Sequence, residues 1–245
     1  GRSDGTTVGQ YGNSYKYFKV EQIKWLILTD NYNGKKLLLP ENILTSCQYY
    51  SQYNDYIDET LYPNNYQNSR LLAFLNGLEY RYRRNSTTTT RNADFEGKGF
   101  LQTAFTESER NLIAQRTKVD NSERSTNPDE NDKQWNEGKN PYACDNTYDA
   151  IFALSEQEAT KAEYGFPVYN NYSRRDNPHT RIREMTDSEK ASGADKKGCR
   201  NWYWLRSPDY AKKGEARKVA SDGDANEIDR VIYEGGGVVP ALCIK

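Results

Sequence analysis

Between residues 202 and 244 the chain alternates short strand-forming runs with glycine turns, and this rhythm limits the fold more than any other feature of the sequence. Trp202–Leu205, Ala216–Ala220, Ile228–Tyr233 and Val238–Ile244 read as strands, separated by Gly214, Gly223 and Gly235-Gly236-Gly237. Runs this short predict an α+β fold of short, twisted antiparallel sheets with a few helices and long loop insertions.

Upstream, Tyr17–Leu28 is rich in β-branched and aromatic residues, Asp30-Asn31-Tyr32-Asn33-Gly34 supplies turn chemistry, and Leu37-Leu38-Leu39 gives a second strand that Pro40 ends. Asn68-Ser69 is placed to cap a helix whose apolar face would run through Leu71, Leu72, Phe74, Leu75 and Leu78, weakened by Gly77. Thr106 with Glu109, Ser155 with Glu158 and Thr186 with Glu189 have capping-box spacing. The polar stretches 85–99 and 118–146 hold too few apolar residues to form cores, and Ile151-Phe152-Ala153-Leu154 resumes a buried strand directly after the second. Both read as loop insertions in one domain spanning 1–245.

The mean hydropathy is −1.04, yet the chain carries 20 Tyr and 4 Trp. Disordered chains are poor in aromatics, so this polarity belongs to loops around an aromatic core. With 34 basic and 35 acidic residues the formal charge is −1, which supplies no long-range field for nucleic acid. No apolar run is long enough to span a bilayer. The start, Gly1-Arg2-Ser3-Asp4-Gly5, lacks the apolar centre of a signal peptide and reads as trimmed, with any export signal or lipid anchor expected before Gly1.

Few residues suggest catalysis. His179 is the only histidine and sits in the turn-like Asn177-Pro178-His179-Thr180; there is no GxSxG, P-loop or GxGxxG. Acidic pairs such as Asp129-Glu130 read as solvated loop residues, and Asp222, Asp224, Glu227 and Asp229 lack EF-hand spacing, so no metal or cofactor is assigned. Cys47, Cys144, Cys199 and Cys243 form no metal-binding cluster and are expected as free thiols, although two disulfides would fit an oxidising compartment.

In Trp202-Tyr203-Trp204 the two indoles share one side of a strand and Tyr203 takes the other. Asn201, Tyr203, Asp209, Tyr210, Ser221, Asp224, Asn226, Asp229, Arg230 and Tyr233 are interleaved with a sparse frame of Trp, Gly, Val and Pro, a mixture that resembles a paratope and equally fits ordinary solvent-facing residues. As a ligand-binding surface at 200–245, it would rely most on Tyr203, Tyr210, Arg230 and Tyr233.

The ordered set Ile23-Lys24-Trp25, Leu37–Leu39, Asn68-Ser69-Arg70 with Phe74-Leu75-Asn76, Ala104-Phe105-Thr106 with Glu109, Asp149 with Ile151–Ser155 and Glu158, Trp202–Pro208 and Gly237–Leu242 resembles a bacterial family of C-type-lectin-like domains akin to formylglycine-generating enzymes. WxLRSP and GVxPAL are its specific signatures. Within it the chain is similar to surface lipoproteins diversified by a retroelement that rewrites adenine-containing codons. The resemblance implies a non-enzymatic, surface-displayed protein, in an outer membrane through a lipid anchor, whose ten interleaved residues contact an unknown protein or glycan on host or neighbouring cells. Val239 stands where that family commonly has Arg, so a salt bridge there is not carried over. Nor is oxidase chemistry, because Cys199 and Cys243 lack the enzymes' characteristic neighbourhood. The alternatives are a thiol oxidase using those two cysteines, or a carbohydrate-binding module, faintly suggested by Gln134-Trp135-Asn136-Glu137.

Overall fold

A computed structural model describes residues 8–11, 14–16, 22–51, 61–82, 91–128, 140–167, 181–191 and 201–245, and all structural statements concern these. They form an α+β fold of short strands and short helices. β1 (Val8–Tyr11) pairs with β2 (Ser14–Lys16). β3 (Trp25–Tyr32) reverses through Asn33-Gly34, both at positive φ, into β4 (Lys35–Pro40). Two central residues with positive φ match the right-handed twist of the flanking strands, which is why Asn-Gly sits there. β5 (Asn42–Ile43) and β6 (Thr45–Ser46) precede α1 (Arg70–Asn76) and the hairpin of β7 (Glu79–Tyr82) with β8 (Arg91–Asp94). Next come α2 (Phe100–Ala104), α3 (Glu107–Leu112), β9 (Thr117–Val119), β10 (Thr147–Asp149), β11 (Ile151–Phe152) and α4 (Glu156–Ala159). β12 (Glu184–Met185), α5 (Asp187–Ala191), β13 (Tyr203–Pro208), β14 (Glu215–Val219), β15 (Glu227–Arg230), β16 (Gly237–Val238) and β17 (Ala241–Ile244) complete the set.

Two sheets dominate. The first has the order β11-β17-β4-β3, so the strand latest in sequence lies inside it. Its register lines up Ile151, Leu242, Leu38 and Ile27 across one face. Leu37 and Leu39 project from the other face and are wholly buried. The second has the order β15-β14-β13-β16-β6. Its β13–β16 pair is parallel, as is β12–β5, so the sheets are mainly but not wholly antiparallel.

The capping boxes at Thr106/Glu109 and Ser155/Glu158 are both complete, and Ser69 Oγ accepts from Leu72 N at the start of α1. At Thr186 the hydroxyl accepts from Glu189 N. Helix α1 stops at Gly77, whose φ of 67° is left-handed, so Leu78 leaves the helical face and is exposed. Gly99 packs so closely on Gly77 that a Cβ there would lie 2.4 Å from its backbone.

Residues 91–94 pair in β8, and 117–119 pair with β10, directly ahead of the buried Asn121. Residues 85–90 and 129–139 of the two polar stretches lie outside the described residues, as do His179, Cys199 and the Gln134–Glu137 motif. The strand expected over Tyr17–Leu28 is β3, which begins at Trp25; residues 22–24 precede it outside any strand, and 17–21 lie outside the described residues.

Candidate functional site

The WxLRSP signature is the structural centre of the C-terminal region. Trp204 sits opposite Lys218 and Pro208 opposite Ala216, so a four-residue step on β13 faces a two-residue step on β14. The surplus bulges, and Arg206 N leaves the ladder to bond Leu154 O at 2.9 Å. This delivers the Arg206 guanidinium into the interior at 1% exposure.

There every guanidinium N–H finds an acceptor. Nε donates to Asn121 Oδ1, Nη1 to Ala153 O and Glu158 Oε2, and Nη2 to Asp120 O and Glu158 Oε1. Tyr32 donates its hydroxyl to Glu158 Oε1 at 2.7 Å, and Glu158 Oε2 also closes the capping box on Ser155 N. Burial alone would raise the Glu158 carboxyl, but the Arg206 charge and these hydrogen bonds outweigh it and hold it below its ordinary value. Arg206 of the signature and Glu158 thus build a satisfied ion pair that joins β13 to α4. It is fold-determining chemistry rather than an exposed reactive group.

The rest of the signature is also structural. Ser207 Oγ accepts from Glu156 N, and Glu156 faces Arg217 Nε at 3.2 Å. Trp202, immediately before β13, meets Trp204 in edge contact at 4.8 Å between ring centroids. Trp204 Nε1 donates to Cys47 O, and its indole lies against Gly236 so tightly that a Cβ there would come within 1.8 Å of Nε1. The glycine run is therefore a seat for the tryptophan as well as a turn. Asn76 acts as a surrogate strand, accepting from Ala150 N and Ile151 N and donating to Ile151 O.

Of the ten sequence-predicted contact residues, two are corrected outright. Tyr203 is 2% exposed and donates its hydroxyl to Arg181 O at 2.8 Å. Alternation gives a strand a wet side only when one side of the sheet is open; β13 lies between β14 and β16 with packed layers on both faces. Asp209 is 3% exposed; its Oδ2 accepts from Ala211 N and Lys212 N, and its Oδ1 faces Arg217. It is an Asx-turn residue.

Three more are half-buried and engaged. Asn201, at φ 59°, accepts from Met185 N through its side chain; Asp224 accepts from Asn226 N; and Asp229 pairs with Lys218 Nζ at 2.8 Å. Tyr210, Ser221, Asn226, Arg230 and Tyr233 are exposed. They stand on a rigid frame, because Gly223, Ala225 and Val231 between them are buried.

The β14–β15 register places Arg230 and Ile228 on the face of Glu215 and Arg217, and Asp229 and Glu227 on the face of Lys218. Arg217 lies under Tyr210, 5.7 Å from its ring centroid, and holds Asn226 Oδ1. Tyr210, Asn226, Ile228 and Arg230 thus belong to one face, and Asp229 to the other.

β15 is the edge strand of its sheet, yet its backbone is guarded at both ends. Arg230 N donates to Asp229 Oδ1 and Arg230 O accepts from Tyr233 N; Asn226 N donates to Asp224 Oδ1 and Asn226 O accepts from Arg217. With those groups occupied, the two ends of this edge are closed to strand addition by a ligand.

Beyond the edge, the Tyr233 N–Arg230 O bond of 3.1 Å closes a turn, and Arg230, Ile232, Tyr233 and Glu234 line an open depression of about 270 Å³. Its floor is pinned to the β6–α1 connection by Cys47 N to Gly236 O, Gln48 Nε2 to Ile232 O and Tyr50 N to Val231 O. Ile232 and Glu234 escaped the sequence reading, since nothing in their type or spacing separates them from ordinary turn residues.

Elsewhere among the described residues, the groups that could react are buried or half-buried. Cys47, Cys144 and Cys243 are free thiols; burial pushes Cys47 and Cys243 up to about 11 and raises Cys144 as well. Asp149 is raised to about 6 by burial, against the lowering effects of its 2.6 Å bond from Thr147 and of Arg206. Among the described residues, no helix is long and apolar enough to cross a membrane, and no three His, Cys, Asp or Glu side chains gather as a metal site.

No curated protein and no solved structure matches the chain significantly. A domain family does match, over residues 33–245, which takes in every strand and helix from β4 onward together with the signature ion pair and the depression. The chain belongs to that family, described as Domain of unknown function (DUF6273).

Proposed function

We propose that this is a non-enzymatic, surface-displayed ligand-binding domain of C-type-lectin-like fold, similar to the Treponema variable protein, whose exposed C-terminal positions are rewritten by a retroelement. The observation that carries the reading is the interleaving between residues 210 and 233. Exposed Tyr210, Ser221, Asn226, Arg230 and Tyr233 alternate with buried Gly223, Ala225 and Val231, so the former can change without disturbing the frame. Tyr-, Asn- and Ser-rich mixtures on a rigid support are the composition of adaptable binding surfaces. The ligand is a protein or glycan on host or neighbouring cells, and attachment is through a lipid anchor.

The test is the sequence of this gene from many isolates. Substitutions concentrated at those five exposed positions, with Tyr203, Trp204, Arg206 and Asp209 constant, are expected. Changes scattered evenly over buried and exposed positions refute the reading.

A further inference from the structure

We infer that the depression lined by Arg230, Ile232, Tyr233 and Glu234 is a subsite for one neutral sugar ring of a glycan, recognised by side chains without a metal ion. The inference rests on the binding-surface reading and narrows it to a chemical class.

Geometry comes first. The turn closed by Tyr233 N on Arg230 O brings the side chains three residues apart to one place, and the three bonds from Cys47, Gln48 and Tyr50 hold the turn before any ligand arrives. A site organised in advance loses less conformational freedom on binding. At about 270 Å³ the depression is smaller than the usual range of drug-sized pockets and matches a single ring.

Charge selects the class. Arg230 contributes only donors, and the Glu234 carboxylate offers acceptors. A carboxylate-bearing ligand would meet Arg230 favourably and Glu234 unfavourably; an ammonium-bearing one would meet the reverse. A ring of adjacent hydroxyls satisfies both, since each hydroxyl donates and accepts. Tyr233, 45% exposed, offers a rigid apolar face for the ring's C–H side, and Ile232 extends that apolar wall. Next to the depression, Arg230 N and O are already bonded to Asp229 Oδ1 and Tyr233 N, so a ligand there is read by side chains rather than by main-chain pairing. The donors and acceptors come from the side chains themselves, and no acidic, His or Cys trio among the described residues gathers to hold a cation.

The experiment is titration of the purified chain, followed by NMR, with methyl glucoside, methyl galactoside and methyl mannoside, with glucuronic acid and glucosamine as charged comparators and N-acetyl-tyrosine amide as a non-sugar ring. At least one neutral glycoside is expected to bind with a dissociation constant on the order of 1 mM, the value that about twelve non-hydrogen atoms at ordinary efficiency give. EDTA should leave it unchanged. Tyr233→Ala should weaken binding about tenfold, and Arg230→Gln and Glu234→Gln about three- to tenfold each. These exposed positions should leave the melting temperature of each variant near that of the parent, which confirms a folded site. Failure of every neutral glycoside with the folded protein, tighter binding of a charged sugar or of the tyrosine amide, or full binding by Tyr233→Ala overturns the assignment. If isolates nevertheless vary at the five exposed positions, the sugar assignment alone has failed; evenly scattered variation removes the wider reading as well.

Discussion

Replacing Arg206 with Met removes a charge that the fold cannot spare. Arg206 is 1% exposed, and its loss strands four acceptors: Asn121 Oδ1, Asp120 O, Ala153 O and the Glu158 carboxylate. Breaking a buried pair by deleting one partner costs about 3–5 kcal/mol, because the survivor stays buried without compensation. For a domain of this size each kcal/mol lowers the melting temperature by about 2–4 °C, so Arg206→Met should melt about 6–20 °C below the parent. Glu158→Gln in the Arg206→Met background neutralises the stranded carboxylate, and a double-mutant cycle should return a coupling of about 2–3 kcal/mol. The pH dependence has a fixed sign. Glu158 is held below its ordinary value of 4.5 in the fold, so its contribution is present above that value and is lost as pH falls through the lower, folded one. The assay is urea denaturation followed by circular dichroism between pH 3 and pH 8. An Arg206→Met variant within about 1 kcal/mol of the parent, the range of an exposed pair, would refute the claim that this ion pair organises the region.

Asp149 carries the opposite sign: raised from 3.8 to about 6, it lends stability fully present below 3.8 and lost as pH rises through 6. Asp149→Asn should therefore stabilise by up to about 3 kcal/mol at pH 8 and by nearly nothing at pH 3.5, read from the same denaturation series. Gly236→Ala drives a methyl group into the Trp204 indole and should cost about 1–3 kcal/mol as overpacking, seen as a lower midpoint and a shifted tryptophan emission. Tyr203→Ala should destabilise by about 3–5 kcal/mol whereas Tyr233→Ala should change stability by less than about 0.5 kcal/mol; equal effects would contradict the burial assigned to the two residues.

Local signals in the sequence transferred well because their causes are local. Asn33-Gly34 marks a hairpin, and a hydroxyl three residues before Glu marks a cap, whatever the chain does elsewhere. What failed depended on distant partners. Tyr203 and Asp209 look like solvent-facing residues until β13 is known to be interior and Asp209 is known to close a turn over Arg217. Thr117–Val119 is too short and polar to announce a strand, and Asn121 gives no hint that it will receive Arg206 across 85 residues of chain. Leu78 has the right spacing for the α1 face, but Gly77 turns the backbone before the spacing can act. Of the proposed contact surface, the exposed Tyr210, Arg230 and Tyr233 are legible from residue type, whereas Ile232 and Glu234 become visible only when a turn gathers them around one depression.

The position of β17 inside the first sheet governs when this protein can fold during synthesis. β4 and β11 are made long before Ala241–Ile244, yet neither gains its shared neighbour until those residues emerge from the ribosome. A nascent chain must hold two open strand edges in waiting, and loop closure over such separations is slow. Any frameshift or early stop between residues 210 and 240 therefore leaves the sheet without its inner strand and marks the product for degradation.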